Sequence, residues 1–201
     1  MTEEEAQNWV RARYDVAVRE RLHAFAAMVV EENQRQNLIS PATIASLWSR
    51  HIADSLQLSS LADKSGRWLD IGSGGGFPGL PVAIAGVGSM LLVEPRRRRG
   101  EFLASCISKL ALANVAVAID KVERIEAQAD VISARAVTSV EKLLHAAVHC
   151  ATPVTRWLLP RGSADLSDVI ATLSVKKMVF HVEQSVTEPA SAILVIEGVP
   201  Q

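Results

Sequence analysis

The segment Trp68-Leu69-Asp70-Ile71-Gly72-Ser73-Gly74-Gly75-Gly76-Phe77-Pro78-Gly79 constrains this chain more than any other. A short apolar strand ends beside an acid, enters a glycine loop and reaches a proline able to open a helix. Glycine admits positive φ and lets backbone approach a ligand closely. Five glycines within residues 72–79 would weaken a plain turn without an evident structural need. In its strand–loop–helix setting the segment reads as a ligand loop.

Two cofactor classes compete for such a loop. A dinucleotide needs helix-terminal N–H groups around an anionic pyrophosphate. S-adenosylmethionine carries a zwitterionic methionine end and a cationic sulfonium, which an acid such as Asp70 suits and a pyrophosphate does not. Read from Gly72, the dinucleotide pattern needs glycine where Phe77 stands; read from Gly74 it fits as Gly74-x-Gly76-x-x-Gly79. The pattern alone therefore leaves NAD open, while Asp70 and the late register favour the methyl donor. Glu94, 22 residues after Gly72 at the end of the next apolar run, is placed to accept from two ribose hydroxyls of either cofactor. Its plain alternative is a solvated strand-end charge.

Around the loop the chain alternates. Apolar runs at Trp68–Ile71, Met90–Val93, Val115–Ile119, Val131–Ile132 and Trp157–Leu159 are separated by helical patterns near Leu80–Ala85, Gly100–Leu112 and Val140–Cys150. This rhythm predicts an α/β fold with a mostly parallel sheet covered by helices. A further helix is expected over Ala164–Leu173. Runs at Lys177–Gln184 and Ala192–Glu197 leave no room for a crossover and predict an antiparallel hairpin. Ahead of the sheet, Val18, Leu22, Phe25 and Val29 form one apolar stripe over Asp15–Glu32, and Ile44, Trp48, Ile52 and Leu56 a second. Pro41 fits a first helical turn capped by Ser40. The division expected is a helical extension over 1–62, packed on a cofactor-binding domain over 63–201.

Composition narrows the class. With 201 residues, 49% hydrophobic and 21% charged, the chain is globular and able to bury a core. The start Met1-Thr2-Glu3-Glu4-Glu5 is acidic where a secretory signal is basic, and no apolar run approaches a membrane span of roughly 18 residues. Cys106 and Cys150 lack metal-ligand spacing, so no metal is expected, and they read as buried thiols of a reducing cytoplasm. A net charge of −1 does not advertise a nucleic-acid binder, yet Arg96-Arg97-Arg98-Arg99 is a compact cationic run. Positive charge at a helix start is mildly unfavourable, which argues that the run is used, with phosphate as its partner. Arg156 and Arg161 are candidates to extend the patch. Trp48 and Trp68 sit in apolar patterns and read as core aromatics.

The chain resembles the GidB (RsmG) family, bacterial 16S ribosomal RNA guanine-N7 methyltransferases. The resemblance runs from about Asn37 to Gly162 and rests on Asn37-Leu38, Arg50-His51-Ile52-Ala53-Asp54-Ser55, Asp70–Pro81, the basic run leading to Glu101-Phe102-Leu103, and Arg135-Ala136. The ending Gly76-Phe77-Pro78-Gly79-Leu80-Pro81 is far more specific than the glycines alone. It implies a Rossmann-like class I methyltransferase fold, S-adenosylmethionine as cofactor, and 16S rRNA or the small ribosomal subunit as partner of a monomer. Asp70, Gly74 and Gly76 belong to the cofactor-binding loop on the reading of the loop itself; carried over by position from the family, Gly72 and Phe77 line the cofactor pocket, Glu94 holds the ribose, and Val122-Glu123 flank the adenine. Arg135 lies at the mouth of the methyl-transfer site. Departures are Ile39 for the family's threonine, Ala134 for its serine and Arg161 for its lysine.

Guanine N7 carries an available lone pair, so methylation needs no base to remove a proton first. Alignment of the reactants, with gains on the order of 7–11 kcal/mol, replaces a nucleophile–base set. The base must be held at its other edge, for which Arg135 is a candidate and extrusion from a stack the expected access. His51 precedes Asp54 and Ser55 by one helical turn, so the three can share a face over the pocket. A packing histidine is the plain alternative. Two other functions stay on the table: an NAD-dependent oxidoreductase, which lacks an evident Tyr-x-x-x-Lys pair, and a non-catalytic RNA- or ribosome-binding module, against which intact Asp70, Gly72, Gly74 and Glu94 argue.

Overall fold

The computed structural model describes residues 1–63, 65–135, 139–162, 169–170 and 178–199. The expected helix over 164–173 falls largely outside these residues.

Helix α1 (Glu3–Arg13) opens on a capping box: Glu5 N–H donates to Thr2 Oγ1 and Thr2 N–H to Glu5 Oε2. Its acidic first turn and basic last turn both complement the helix dipole. The N-terminal acids thus begin a helix that the apolar periodicity did not announce, because only Ala6 and Val10 of it are buried. Helix α2 (Val16–Glu32) is capped by Asp15 and buries Leu22, Phe25, Ala26 and Val29, the expected stripe.

The second stripe is not a single helix. A 3₁₀ turn at Pro41–Ser46 leads into a π turn at Trp48–Ala53, one α turn (α3, Asp54–Leu56) and another 3₁₀ turn at Gln57–Ser60. Ser40 makes no side-chain cap; its carbonyl instead accepts from Thr43 N–H and Oγ1. The π turn has a visible companion: both oxygens of Glu3 accept backbone N–H groups, from Trp48 at 2.8 Å and Ser49 at 2.9 Å. Those two amides are thereby satisfied by another helix's side chain rather than by the local ladder.

Seven strands form one sheet: β1 (Arg67–Ile71), β2 (Ser89–Val93), β3 (Val115–Ala118), β4 (Val131–Ser133), β5 (Arg156–Gly162), β6 (Val179–Gln184) and β7 (Ser191–Glu197). Their order is β3-β2-β1-β4-β5-β7-β6. The first five run parallel, while β7 lies antiparallel between β5 and β6. The expected terminal hairpin is therefore present, with its second strand inserted toward the sheet centre. Helices α4 (Gly79–Ile84), α5 (Arg97–Lys109) and α6 (Val140–Ala147) follow β1, β2 and β4.

Alternation along the strands divides the core. Trp68, Met90, Leu92, Leu158, Ile193 and Val195 face a cluster shared with α1, α2, α4 and α5. Leu69, Ile71, Val93, Ile132, Trp157 and Leu194 face a second cluster built with α6. Trp48 and Trp68 are both buried, as their patterns predicted. Strand order reverses between β1 and β4, and in open α/β sheets ligands bind at the carboxyl ends of the strands beside such a reversal.

Candidate active site

At that point the structure opens into a cavity of about 590 Å³. Its floor is the glycine loop, its far wall β5 and the β6–β7 turn, and its roof the segment from Leu38 to Asp54. Gly72 and Gly74 adopt φ of 68° and 56°, a region closed to most side chains, so the loop folds tightly and presents bare backbone to the cavity. Gly79 is needed for another reason: a Cβ there would collide with Leu92 and come within 2.7 Å of Asp70 Oδ2.

Asp70 lies beneath the loop, not in the cavity. It is fully buried, with Oδ1 accepting from Ser133 Oγ at 2.6 Å and Oδ2 from Gly79 N–H at 3.2 Å. Trp68 Nε1 donates in turn to Ser133 Oγ, so strands β1 and β4 are stitched by a buried polar chain. Burial raises the Asp70 pKa to about 6, against the hydrogen bonds of Ser133, Ser73 and Gly79. Asp70 thus anchors, from beneath, the backbone loop that borders the cavity. Gly76 also lies behind the cavity surface, against Leu80 and Phe25.

Glu94 follows β2 and is 3% exposed, yet borders the cavity. Its Oε2 accepts Gly74 N–H at 2.9 Å and its Oε1 accepts Arg96 N–H at 2.8 Å. Each oxygen keeps a lone pair for a further donor.

The roof meets β4 in a connected group. Arg135 donates to His51 Nδ1 at 2.9 Å and to the Arg50 carbonyl at 3.2 Å, faces Asp54 Oδ2 at 3.5 Å, and stacks 5.2 Å from the Phe77 ring centroid. An arginine only donates, so His51 Nδ1 must accept, and the ring proton sits on Nε2, which donates to Thr43 Oγ1 at 2.8 Å. Burial, then the charges of Arg135 and Arg50, push the His51 pKa down to about 3, consistent with a neutral ring. Burial likewise raises the pKa of Asp54, opposed by Arg135 and by Thr187 Oγ1, which donates to Oδ1 at 3.0 Å. Of the predicted face, His51 and Asp54 border the cavity; Ser55 is buried and turns its hydroxyl back to the His51 carbonyl.

The remaining expected residues divide. Phe77, Arg96, Arg99 and Arg161 border the cavity. Arg97 pairs with Glu101 and Arg98 donates to the Arg35 carbonyl, both outside it. Arg99 donates to the Asn37 carbonyl, tying α5 to the roof. Arg156 pairs with Glu197 at the sheet's opposite end. Val122 packs in the α6 cluster, and Glu123 lines a separate depression with Glu141 and His145. Thr43, Arg50, Thr187 and Glu188 also border the cavity, and no motif singled them out as site residues. Their approach depends on pairings up to 138 residues apart.

The family model for GidB, rRNA small subunit methyltransferase G, matches residues 18–192. The chain belongs to this family. A ribosomal RNA small subunit methyltransferase G from Erythrobacter litoralis is 44% identical over 98% of this chain and 97% of its own length. Another from Sphingopyxis alaskensis is 41% identical over 98% and 86%. Among solved structures, a SAM dependent methyltransferase from Aquifex aeolicus superposes with a TM-score of 0.63 at 14% identity, covering 87% of this chain and 98% of that one. A ribosomal protein L11 methylase from Lactobacillus delbrueckii subsp. bulgaricus gives 0.62 at 12% identity, covering 73% and 77%. This GidB chain thus has the class I methyltransferase fold, as its strand rhythm and the resemblance predicted.

Proposed function

We propose that this GidB chain methylates N7 of a guanine in 16S rRNA of the small ribosomal subunit, with S-adenosylmethionine as donor. The observation that carries the reading is the conjunction, in one cavity, of the bare glycine loop, the Glu94 carboxylate and the Arg135–His51 group. The cavity is of ligand size. Gly72 and Gly74 admit close approach, Glu94 retains acceptor capacity for ribose hydroxyls, and Phe77 offers an apolar wall. These features fit S-adenosylmethionine, which when bound supplies an electrophilic methyl on a cationic sulfur.

The chain's own contribution is positioning. His51 is neutral, gives its N–H to Thr43 and accepts from Arg135, and Asp54 is engaged by Arg135, Thr187 and Gln57; guanine N7 asks for no base. Arg135 is held on three sides and brings a guanidinium to that group, suited to orient an acceptor oxygen or phosphate. Arg96 and Arg99 at the cavity rim supply electrostatic guidance for RNA. We take the working unit to be a monomer in the cytoplasm, with residues 1–62 as an extension that roofs the site. Among the described residues no helix is long and apolar enough to cross a membrane.

The test is genetic and chemical together. Nucleosides from 16S rRNA of cells lacking the protein should be short of 7-methylguanosine, restored by the wild-type chain and not by Gly72→Asp, whose added carboxylate fills a positive-φ position. A full 7-methylguanosine complement in the deleted cells would sink the proposal. Purified Gly72→Asp should also show no calorimetric binding of S-adenosylmethionine; undiminished affinity would remove the loop from the cofactor site.

A further inference from the structure

Among the described residues three carboxylates border the cavity: Asp54, Glu94 and Glu188. Two are committed. Asp54 accepts from Thr187 and Gln57 and faces Arg135, and Glu94, held by two backbone amides, is assigned to the ribose in the function proposed above. Glu188, in the β6–β7 turn, is different. Its side chain is 36% exposed; Oε2 accepts from Arg50 at 2.6 Å, while Oε1 has only a 3.4 Å approach from Ala190 N–H of its own turn.

The turn that carries it is fixed to the roof. Thr187 Oγ1 reaches Asp54, and Val186 N–H donates to Gln57 Oε1 at 2.9 Å. Through Asp54 this turn is coupled to Arg135, so the carboxylate and the cation belong to one connected wall. The Arg50 guanidinium adds a charge-assisted bond that fixes the carboxylate's orientation.

On the reading that the acceptor is a guanine, we propose that Glu188 recognises its Watson–Crick edge, accepting from N1–H and the N2 amino group. A base that offers N7 for reaction must be held at its opposite side, and an extruded base is commonly read at that edge. Guanine presents two adjacent donors there, which two carboxylate oxygens match. Adenine presents an acceptor beside its one donor, which they do not. A guanine alkylated at N7 is also cationic, so an anion at its far edge stabilises the transition state more than the ground state. Glu188 is thereby a specificity-determining residue that touches substrate, with Arg50 as its positioning partner.

The experiment measures kcat/KM of wild type and Glu188→Gln on small subunits carrying guanosine or inosine at the methylated position. Inosine lacks the N2 amino group. Wild type should lose roughly 10- to 100-fold on inosine, the cost of one hydrogen bond to a charged group. Glu188→Gln puts an amide donor against guanine's donors; it should lose a similar factor on guanosine and show nearly equal rates on the two substrates. Methyl-donor affinity measured by calorimetry should be unchanged, which reports an intact fold. A wild-type chain indifferent to inosine overturns the proposal whatever the variant does, as does a variant that keeps the wild-type preference. A wild-type chain that forms no 7-methylguanosine at all overturns the guanine reading itself, and this inference with it.

Discussion

Arg135 is the residue on which the site's geometry turns. Its guanidinium is shared among His51, the Arg50 carbonyl and Asp54, and its Cζ lies over the Phe77 ring. Arg135→Ala removes the cation without touching the glycine loop. It should spare methyl-donor binding and lower turnover roughly 10²-fold, the scale of a small misplacement of reactants. Unchanged single-turnover rates would remove Arg135 from the site. Two neighbours carry opposite pH signatures. Asp70 has a folded pKa raised from 3.8 to about 6, so the stability it contributes is present below about 4 and is lost as pH rises through 6. His51 has a folded pKa lowered from 6.5 to about 3, so its contribution is present above 6.5 and is lost as pH falls toward 3. Between about 4 and 6 the two oppose, and only differences between variant and parent separate them. Relative to wild type, Asp70→Asn should gain stability in urea melts as pH rises from 4 to 6. A pH-independent difference would mean that Asp70 does not titrate in that window.

At the scale of elements, the roof shows how a helical pattern and a helical backbone can part company. Trp48, Ile52 and Leu56 are buried as their spacing predicted, yet the backbone beneath them changes from 3₁₀ to π to α. The stripe was legible because burial is periodic in sequence. The π turn was not, because it involves Glu3, 45 residues from Trp48, in a helix with only two buried residues. Removing that carboxylate should be felt at the roof. Glu3→Ala leaves two partly buried amides without their acceptor and should cost about 1–3 kcal/mol in urea denaturation, with weaker RNA methylation. An unchanged midpoint would show that Glu3 does not support the turn. The strands were legible for the opposite reason: short β-rich runs between amphipathic helices report the parallel sheet directly, and the lack of a crossover reports the hairpin. Where β7 inserts was not readable, since pairing order is a long-range choice. The glycine loop declared itself by composition, but Asp70's position beneath it depends on Ser133 and Gly79 closing over the acid.

For the whole molecule, the sheet reversal, the roof and the terminal hairpin converge on one opening, and that convergence makes a near-neutral chain a candidate RNA enzyme. Net charge of −1 leaves little general attraction for a polyanion, so binding must rely on local cations at the rim. If Arg96 and Arg99 each contact phosphate, their double alanine variant should reduce the slope of log affinity against log salt by about 1–2. An unchanged slope would return both to structural duty, Arg99 holding the Asn37 carbonyl. The account as a whole stands on the reaction. The most direct measurement supplies the purified chain with S-adenosylmethionine labelled in its methyl group and small ribosomal subunits from cells lacking the protein, then digests the RNA and identifies the labelled nucleoside. The account predicts label in 7-methylguanosine alone. Label in another nucleoside, or none despite measured binding of the donor, would contradict it.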